Sequence, residues 1–283
     1  YFFPNTYNYG SIFFIDPNKE KKNVILKKNR DLEINHIDKD DNSENVSKYS
    51  NLNFEVNERI IKPNLKNFFT ISRDVNEITI NRSLQYLVLK KIVFEGKLLD
   101  FGGGDKSLYK NFLQSEDYYS LNIDEKIKPT FNIKINEKFK FNDKYFNNVL
   151  SMNTFEHIYD HDFVLKEMYR VLKDNSKLYI ITPFLFPIHG HPDDFLRPTP
   201  SYYTKKLKTH GFNNVTIYPL FWGPLSTGIA CSALSGRGPI KKLLSRICLL
   251  FDIFYEKLRN KKNNYIFNYP LSYLVIAEKK LIQ

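Results

Sequence analysis

A chain of 283 residues with 42% hydrophobic residues is long enough for one large α/β domain plus an extension, and it needs no staples to hold a core. Its two cysteines, Cys231 and Cys248, lack a CxxC or a His-rich partner pattern, which suggests neither a disulfide framework nor a zinc site and fits a reducing, cytoplasmic setting. The formal charge of +11 accompanies heavy use of Lys, Asn, Ile, Phe and Tyr, a compositional habit, so it is not by itself a sign of a nucleic-acid partner.

No run approaches about eighteen uninterrupted apolar residues, and the start lacks the basic-then-apolar layout of a signal peptide. The chain opens on Tyr1, as a trimmed or partial product would. Residues 1–80 are expected to be an N-terminal extension. Short strands are expected at Ser11 to Asp16 and Asn23 to Leu26, a polar linker at Asp38 to Asn45, and weak amphipathicity over 51–76. A better helix candidate runs from Asn81 to Val93, where Leu84, Tyr86, Leu87, Leu89 and Ile92 fall near one face.

Lys97 to Phe101 then reads as a buried strand, ending in Asp100 and the glycine turn Gly102, Gly103 and Gly104. Consecutive glycines permit positive φ and let a ligand approach the main chain without meeting a Cβ. Ser107 to Leu113 is expected to be helical, and strands are expected at Tyr118 to Ile123, Thr130 to Ile135 and Asn147 to Met152. A helix over Asp160 to Lys173, a strand over Lys177 to Thr182, a helix over Pro200 to His210 and strands at Asn214 to Leu220 and Leu271 to Glu278 complete the pattern. Alternation of this kind, with nearly continuous apolar strands, predicts a doubly wound, mostly parallel sheet covered on both faces.

The glycine turn excludes two nucleotide loops. A dinucleotide fingerprint needs a third glycine where Ser107 stands, and no Gly-Lys-Ser/Thr follows at Walker spacing. What remains, an acidic residue followed by x-Gly-x-Gly, resembles the class I methyltransferases that use S-adenosylmethionine. The resemblance runs from about Gly96 to Glu278. Leu150 to His157 looks like the fourth strand and Glu-His ending of the ubiquinone-biosynthesis and sugar methyltransferase subgroup, Phe163 to Lys173 like the helix after it, and Leu178 to Pro183 like the fifth strand. The loop from Pro183 to Thr199 looks like one in a bacterial branch of the family.

The resemblance implies a seven-stranded sheet with an antiparallel last strand, in a methyltransferase domain over 81–283 that carries a basic helical insertion at about 238–262. It implies that Asp100, Gly102, Gly103 and Gly104 hold the methionine end of S-adenosylmethionine. Asn122 or Asp124 would hold the ribose, Asn136 would lie near the adenine, and Asn153 and Glu156 would line the methionine side. Here Asn stands at positions where the family usually has an acid, which leaves a catalytically degenerate binding or scaffold protein as the alternative to an enzyme.

Methyl transfer to a hydroxyl needs alignment, exclusion of water and a base for the departing proton. His157, His189 and His191 are the candidates for that base, and Asp194 and Arg197 are candidates for acceptor contact. Two histidines beside paired carboxylates could also suit a metal, but no i, i+4 spacing fixes a ligand set, and no metal is expected. The expected acceptor is a sugar, glycan or other small polar metabolite. Without an RNA-binding module or a basic stripe interleaved with aromatics, nucleic acid is disfavoured.

From Pro239 to Arg259 apolar residues recur at helical spacing, and residues 238–262 hold seven Lys or Arg against two acidic residues. This helix is expected to pack on the sheet or a second subunit with a solvated basic face. The competing expectation is peripheral contact with the inner face of an anionic membrane bearing a lipid-linked acceptor.

Overall fold

The computed structural model describes residues 60–190, 192–232, 234, 236, 238–258 and 269–280. The expected strands and linker before residue 46 lie outside them, as does His191. Two helices lead in: α1 (Leu65–Asp74), capped by the Asn64 side chain, and α2 (Ile80–Leu89), capped by Thr79. The second ends four residues short of the expected Val93, because β1 (Val93–Phe101) claims that residue. Ile61, Ile71 and Val75 join the core, so part of the stretch expected as an extension packs within the domain.

The remaining elements are β2 (Gln114–Asn122), β3 (Phe131–Asn132), β4 (Phe146–Met152), α3 (His161–Val171), β5 (Leu172–Pro183), α4 (Pro200–Thr209), β6 (Asn213–Leu220), α5 (Pro224–Cys231), α6 (Pro239–Leu258) and β7 (Ser272–Lys279). They form one seven-stranded sheet of order β3-β2-β1-β4-β5-β7-β6. Every pairing is parallel except those of β7, which runs antiparallel to both β5 and β6. The expected doubly wound sheet with an antiparallel last strand is therefore present.

The near-continuous burial of β4, β7 and the carboxyl-terminal halves of β1 and β5 follows from helices on both faces. One apolar layer joins Ile71, Leu84, Ile229, Leu249 and Ile253 of α1, α2, α5 and α6 to one face. The other joins Val164, Leu165, Met168, Tyr203 and Leu207 of α3 and α4 to the opposite face. Strand order reverses at β1, whose neighbours are β2 and β4, and the carboxyl ends of these three strands open where ligands bind in such sheets.

The expected helix over Ser107 to Leu113 is absent. A single 3-10 turn, Lys110–Phe112, stands there, and β2 begins at Gln114. The Tyr109 hydroxyl, drawn in to Asp100, and the immediate start of the next strand leave no room for further helical turns. The expected strand Thr130 to Ile135 shrinks to two paired residues. α3 stops at Val171 because Leu172 takes extended backbone and begins β5. α5, which the sequence did not announce, is pinned by Asp252 of α6, whose carboxylate accepts from the Leu225 and Ser226 N–H groups at 3.0 and 2.7 Å.

Candidate active site

The acid-glycine turn is built by mutual exclusion. Asp100 is fully buried at the end of β1, where its carboxylate accepts hydrogen bonds from Tyr109 (3.0 Å) and Tyr118 (2.8 Å). Burial pushes this carboxyl up to about 7, against the lowering effect of the two hydroxyls. A Cβ on Gly103 would lie 1.8 Å from Asp100 Oδ2, and one on Gly104 would lie 2.5 Å from the Ile127 carbonyl oxygen. Gly102 has φ of 92°, and a Cβ there would strike Thr154. The three glycines are thus required by the protein's own packing. The Ser107 hydroxyl accepts the Gly104 N–H at 3.0 Å and closes the turn where a helix was expected.

Above the turn lies a cleft of about 1000 Å³. Gly102 lines it, whereas Asp100, Gly103 and Gly104 lie beneath. Asn122 lines it too, but its amide is committed to the turn: Nδ2 donates to the Gly102 carbonyl at 2.6 Å and Oδ1 accepts from the Asp124 N–H at 2.9 Å. A carboxylate could not make the first bond, so asparagine here has a structural reason. Asp124 faces the cleft at the end of β2, with Oδ1 accepting from the Lys126 N–H. Asn136, at φ 58°, lines the same cleft beside Glu137, and Ile123, Ile133, Ile135 and Phe139 form its apolar wall. The sequence pattern alone did not single out this wall.

On the β4 side, Asn153 lines the cleft while its side chain exchanges two amide hydrogen bonds with Gln85 of α2, at 2.8 and 2.9 Å. The following 3-10 turn, Phe155–His157, is held by His161, whose Nε2 lies 2.9 Å from the Phe155 carbonyl and whose ring stacks on Phe155. That turn presents His157 to the cleft and tucks Glu156 beneath it. Glu156 is fully buried, and among the described residues neither carboxylate oxygen has a hydrogen-bond partner. Burial pushes it up to about 7.

The loop after β5 folds over the same end. His157 Nδ1 is hydrogen-bonded to the Asp193 carbonyl, the Phe195 N–H donates to the Glu156 carbonyl at 2.9 Å, and the rings of His157 and His189 meet edge to face at 5.1 Å. Burial holds the His189 imidazole below the usual histidine range, against the Pro187 carbonyl and Asp194, so it is neutral near pH 7. Asp194 and Arg197 form a two-pronged ion pair within the loop, and Asp194 also accepts the His189 N–H at 2.9 Å. Burial raises the Asp194 carboxyl, but Arg197 and that N–H outweigh it and hold it below its ordinary value. Neither residue lines the cleft, so the pair braces the loop beneath His189. The structure therefore brings His157, His189 and Glu156 together, and sets Asp194 and Arg197 behind them.

Residues 99–180 match the family model described as a methyltransferase domain. A search of curated protein sequences finds no match. Among solved structures, a chain of the complex between the Haloferax volcanii Trm112 methyltransferase activator and its methyltransferase is similar at 12% identity, over 74% of this chain and 94% of that one, with a TM-score of 0.47. An S-adenosylmethionine-dependent methyltransferase from Archaeoglobus fulgidus is similar at 20% identity, over 74% and 94%, with a TM-score of 0.46. Haemonchus contortus phosphoethanolamine N-methyltransferase 2, bound to S-adenosylmethionine, is similar at 15% identity and a TM-score of 0.45; the match covers 70% of this chain and 52% of that one, about half its length. Strand order and the antiparallel last strand define a doubly wound α/β sheet, and the segment that matches a methyltransferase domain, residues 99–180, runs from β1 into β5 and carries the acid-glycine turn.

Proposed function

We propose that this chain is an S-adenosylmethionine-dependent methyltransferase acting on a hydroxyl of a sugar, glycan or small polar metabolite. The observation that carries the reading is the cleft itself. It opens at the point of strand reversal, over Gly102, between an apolar wall and the His157–His189 pair, and its floor and apolar wall fall in the segment that matches a methyltransferase domain.

The residues present suit the cofactor. Gly102 brings bare backbone to the cleft floor, Asp124 offers a carboxylate at the end of β2, and Ile123, Ile133, Ile135 and Phe139 offer a surface for a flat base, with Asn136 and Glu137 at its edge. When bound, the sulfonium supplies an activated methyl group that passes to a nucleophilic oxygen. The chain's part is to align the acceptor, exclude water under the Pro183 to Thr199 loop, and take the acceptor's proton. His189, neutral near pH 7 and on the cleft wall, can take that proton at an imidazole nitrogen, with His157 beside it.

Calorimetric titration with S-adenosylhomocysteine tests this. One-to-one binding is expected, with affinity lost when Asp124 is changed to Ala. No binding at millimolar ligand overturns the reading and leaves the non-catalytic scaffold.

For the partner surface, α6 supports peripheral membrane contact. Among the described residues no helix is long and apolar enough to cross a membrane. Ser245, Leu249, Asp252 and Ile253 of α6 are buried, while Ile240, Leu243, Ile247, Phe251, Phe254 and Leu258 are exposed along the opposite side. That stripe is apolar where a solvated basic face was expected, and Lys241, Lys242 and Lys257 lie on the same helix, while Arg246 is hydrogen-bonded to Ser72 and Asn76. Burial of such a stripe beside cations suits an anionic lipid surface that presents a lipid-linked acceptor at the inner face of the membrane. Flotation with phosphatidylglycerol vesicles should carry the protein up; a protein that stays at the bottom removes the membrane from the reading.

A further inference from the structure

The turn after β4 and the loop after β5 converge on three side chains whose arrangement exceeds what proton transfer needs. Glu156, His157 and His189 each place one potential ligand atom within 4.8 Å of the other two, and His157 Nε2 lies 3.7 Å from Glu156 Oε1. Each imidazole has a backbone carbonyl beside Nδ1. His157 Nδ1 meets the Asp193 carbonyl, and His189 Nδ1 meets the Pro187 carbonyl at 3.2 Å. Nδ1 of His189 also faces Arg197 Nη2 at 3.4 Å, so a carbonyl partner alone orients only His157, turning its Nε2 toward Glu156. This is how backbone partners orient metal-binding histidines.

The independent observation is Glu156. A fully buried carboxylate with no hydrogen-bond partner among the described residues is costly, and the cost falls when a cation meets it. The nearest fixed positive charge in the loop, Arg197, is already bound through two nitrogens to Asp194.

We propose that Glu156, His157 and His189 form a binding site for one divalent transition-metal ion of the zinc type, with an open coordination position facing the cleft. Two neutral imidazoles and one carboxylate are a set that zinc accepts, with bonds of about 2.0–2.2 Å and therefore ligand separations of roughly 3.3 Å. The Glu156–His157 separation is already close to that value. His189, half-buried on the loop, offers the third ligand atom within 4.8 Å of the other two. Hard cations that demand all-oxygen shells fit this donor set poorly. The site faces the acceptor side of the cleft, and that placement rests on the methyltransferase reading. With the ion bound, His189 is a ligand and no longer the base proposed above for the metal-free site; the ion would hold the acceptor oxygen and lower the pKa of its hydroxyl, and the proton would pass to water at the mouth of the cleft.

The test uses the full chain, stripped with a chelator and titrated with zinc sulfate, then with cobalt(II) as a spectroscopic probe. One zinc per chain is expected, together with the visible absorption of four- or five-coordinate cobalt. Glu156→Gln, which keeps the side-chain shape and removes the unpaired charge, should fold as well as the parent yet bind zinc at least about tenfold more weakly and lose the cobalt bands. His157→Ala and His189→Ala should do the same. Zinc affinity and a cobalt spectrum unchanged in all three variants would overturn the proposal and locate any bound zinc at other histidines. Titration of the same variants with S-adenosylhomocysteine separates the two readings. Loss of zinc with cofactor binding intact supports the metal site; cofactor binding with no zinc in the parent protein sinks the metal site alone.

Discussion

Asn122 Nδ2 donates to the carbonyl oxygen of Gly102 across 2.6 Å, tying the end of β2 to the turn that ends β1. The bond ties the floor of the cleft to its neighbouring strand, and it needs a donor at position 122. If that bond sets the site, Asn122→Asp places a carboxylate oxygen against a carbonyl oxygen and leaves the Gly102 carbonyl unpaired. A loss of about 1–3 kcal/mol is expected in urea denaturation, with weaker S-adenosylhomocysteine binding by calorimetry. Tighter binding in the Asp variant would show instead that the position serves the ribose directly.

Gly103→Ala should be among the most damaging single substitutions in the chain. Its Cβ would lie 1.8 Å from Asp100 Oδ2, and the carboxylate is itself held by two tyrosines and cannot swing away. A loss of at least about 3 kcal/mol is expected from overpacking of this kind. Gly228 is the control. It stands inside α5 with nothing within 4 Å of a built Cβ, so Gly228→Ala should be neutral or stabilising by up to about 1 kcal/mol. Thermal melts of the two variants side by side check the contrast.

Asp100 should make stability fall as pH rises through neutrality. Its folded value, about 7, lies above the ordinary carboxylate value of 3.8, so between these two the folded state binds the proton and the unfolded state does not. Stability from this group is complete below the unfolded value and is lost as pH rises through the window, by at most about 1.4 kcal/mol per pH unit. Asp100→Asn keeps two acceptor-or-donor atoms near Tyr109 and Tyr118 and cannot titrate, so its denaturation midpoint should vary less between pH 5 and pH 7 than the parent's. An identical pH profile in both proteins would refute this.

Asp252→Ala should detach α5 from α6. The substitution leaves the Leu225 and Ser226 N–H groups without the carboxylate that satisfies them, and it opens space beside Gly223, whose built Cβ would lie 2.3 Å from Asp252 Cγ. A cost of about 2–4 kcal/mol is expected for two charge-assisted bonds lost at a buried helix start. Amide exchange should show the loss concentrated at residues 224–231.

The sequence by itself determined the sheet. Apolar runs at Leu98, Val149 and Ile180 and the glycine turn after Asp100 are local signals, read from period and composition, and all fall where the structure places strands and the turn. Local reading failed where long-range contacts overrule propensity. Ser107 to Leu113 has helical spacing, yet the Tyr109 hydroxyl is held by Asp100, and the chain must enter β2 at once. The roles of the glycines were equally hidden, because only packing shows that Gly103 yields to Asp100 and Gly104 to the Ile127 carbonyl, whereas Gly102 also reaches the cleft.

For the site, the sequence named His157, His189, Asp194 and Arg197 through their places after β4 and β5. Tertiary structure alone decided that the last two brace a loop while Glu156 joins the histidines. The reason is physical: a residue's type fixes which bonds it can make, but whether a carboxylate meets an arginine, two tyrosines or a pair of imidazoles depends on which segments the fold brings to it. Asp194, Asp100 and Glu156 are three carboxylates in one chain, and the fold gave each of them a different answer.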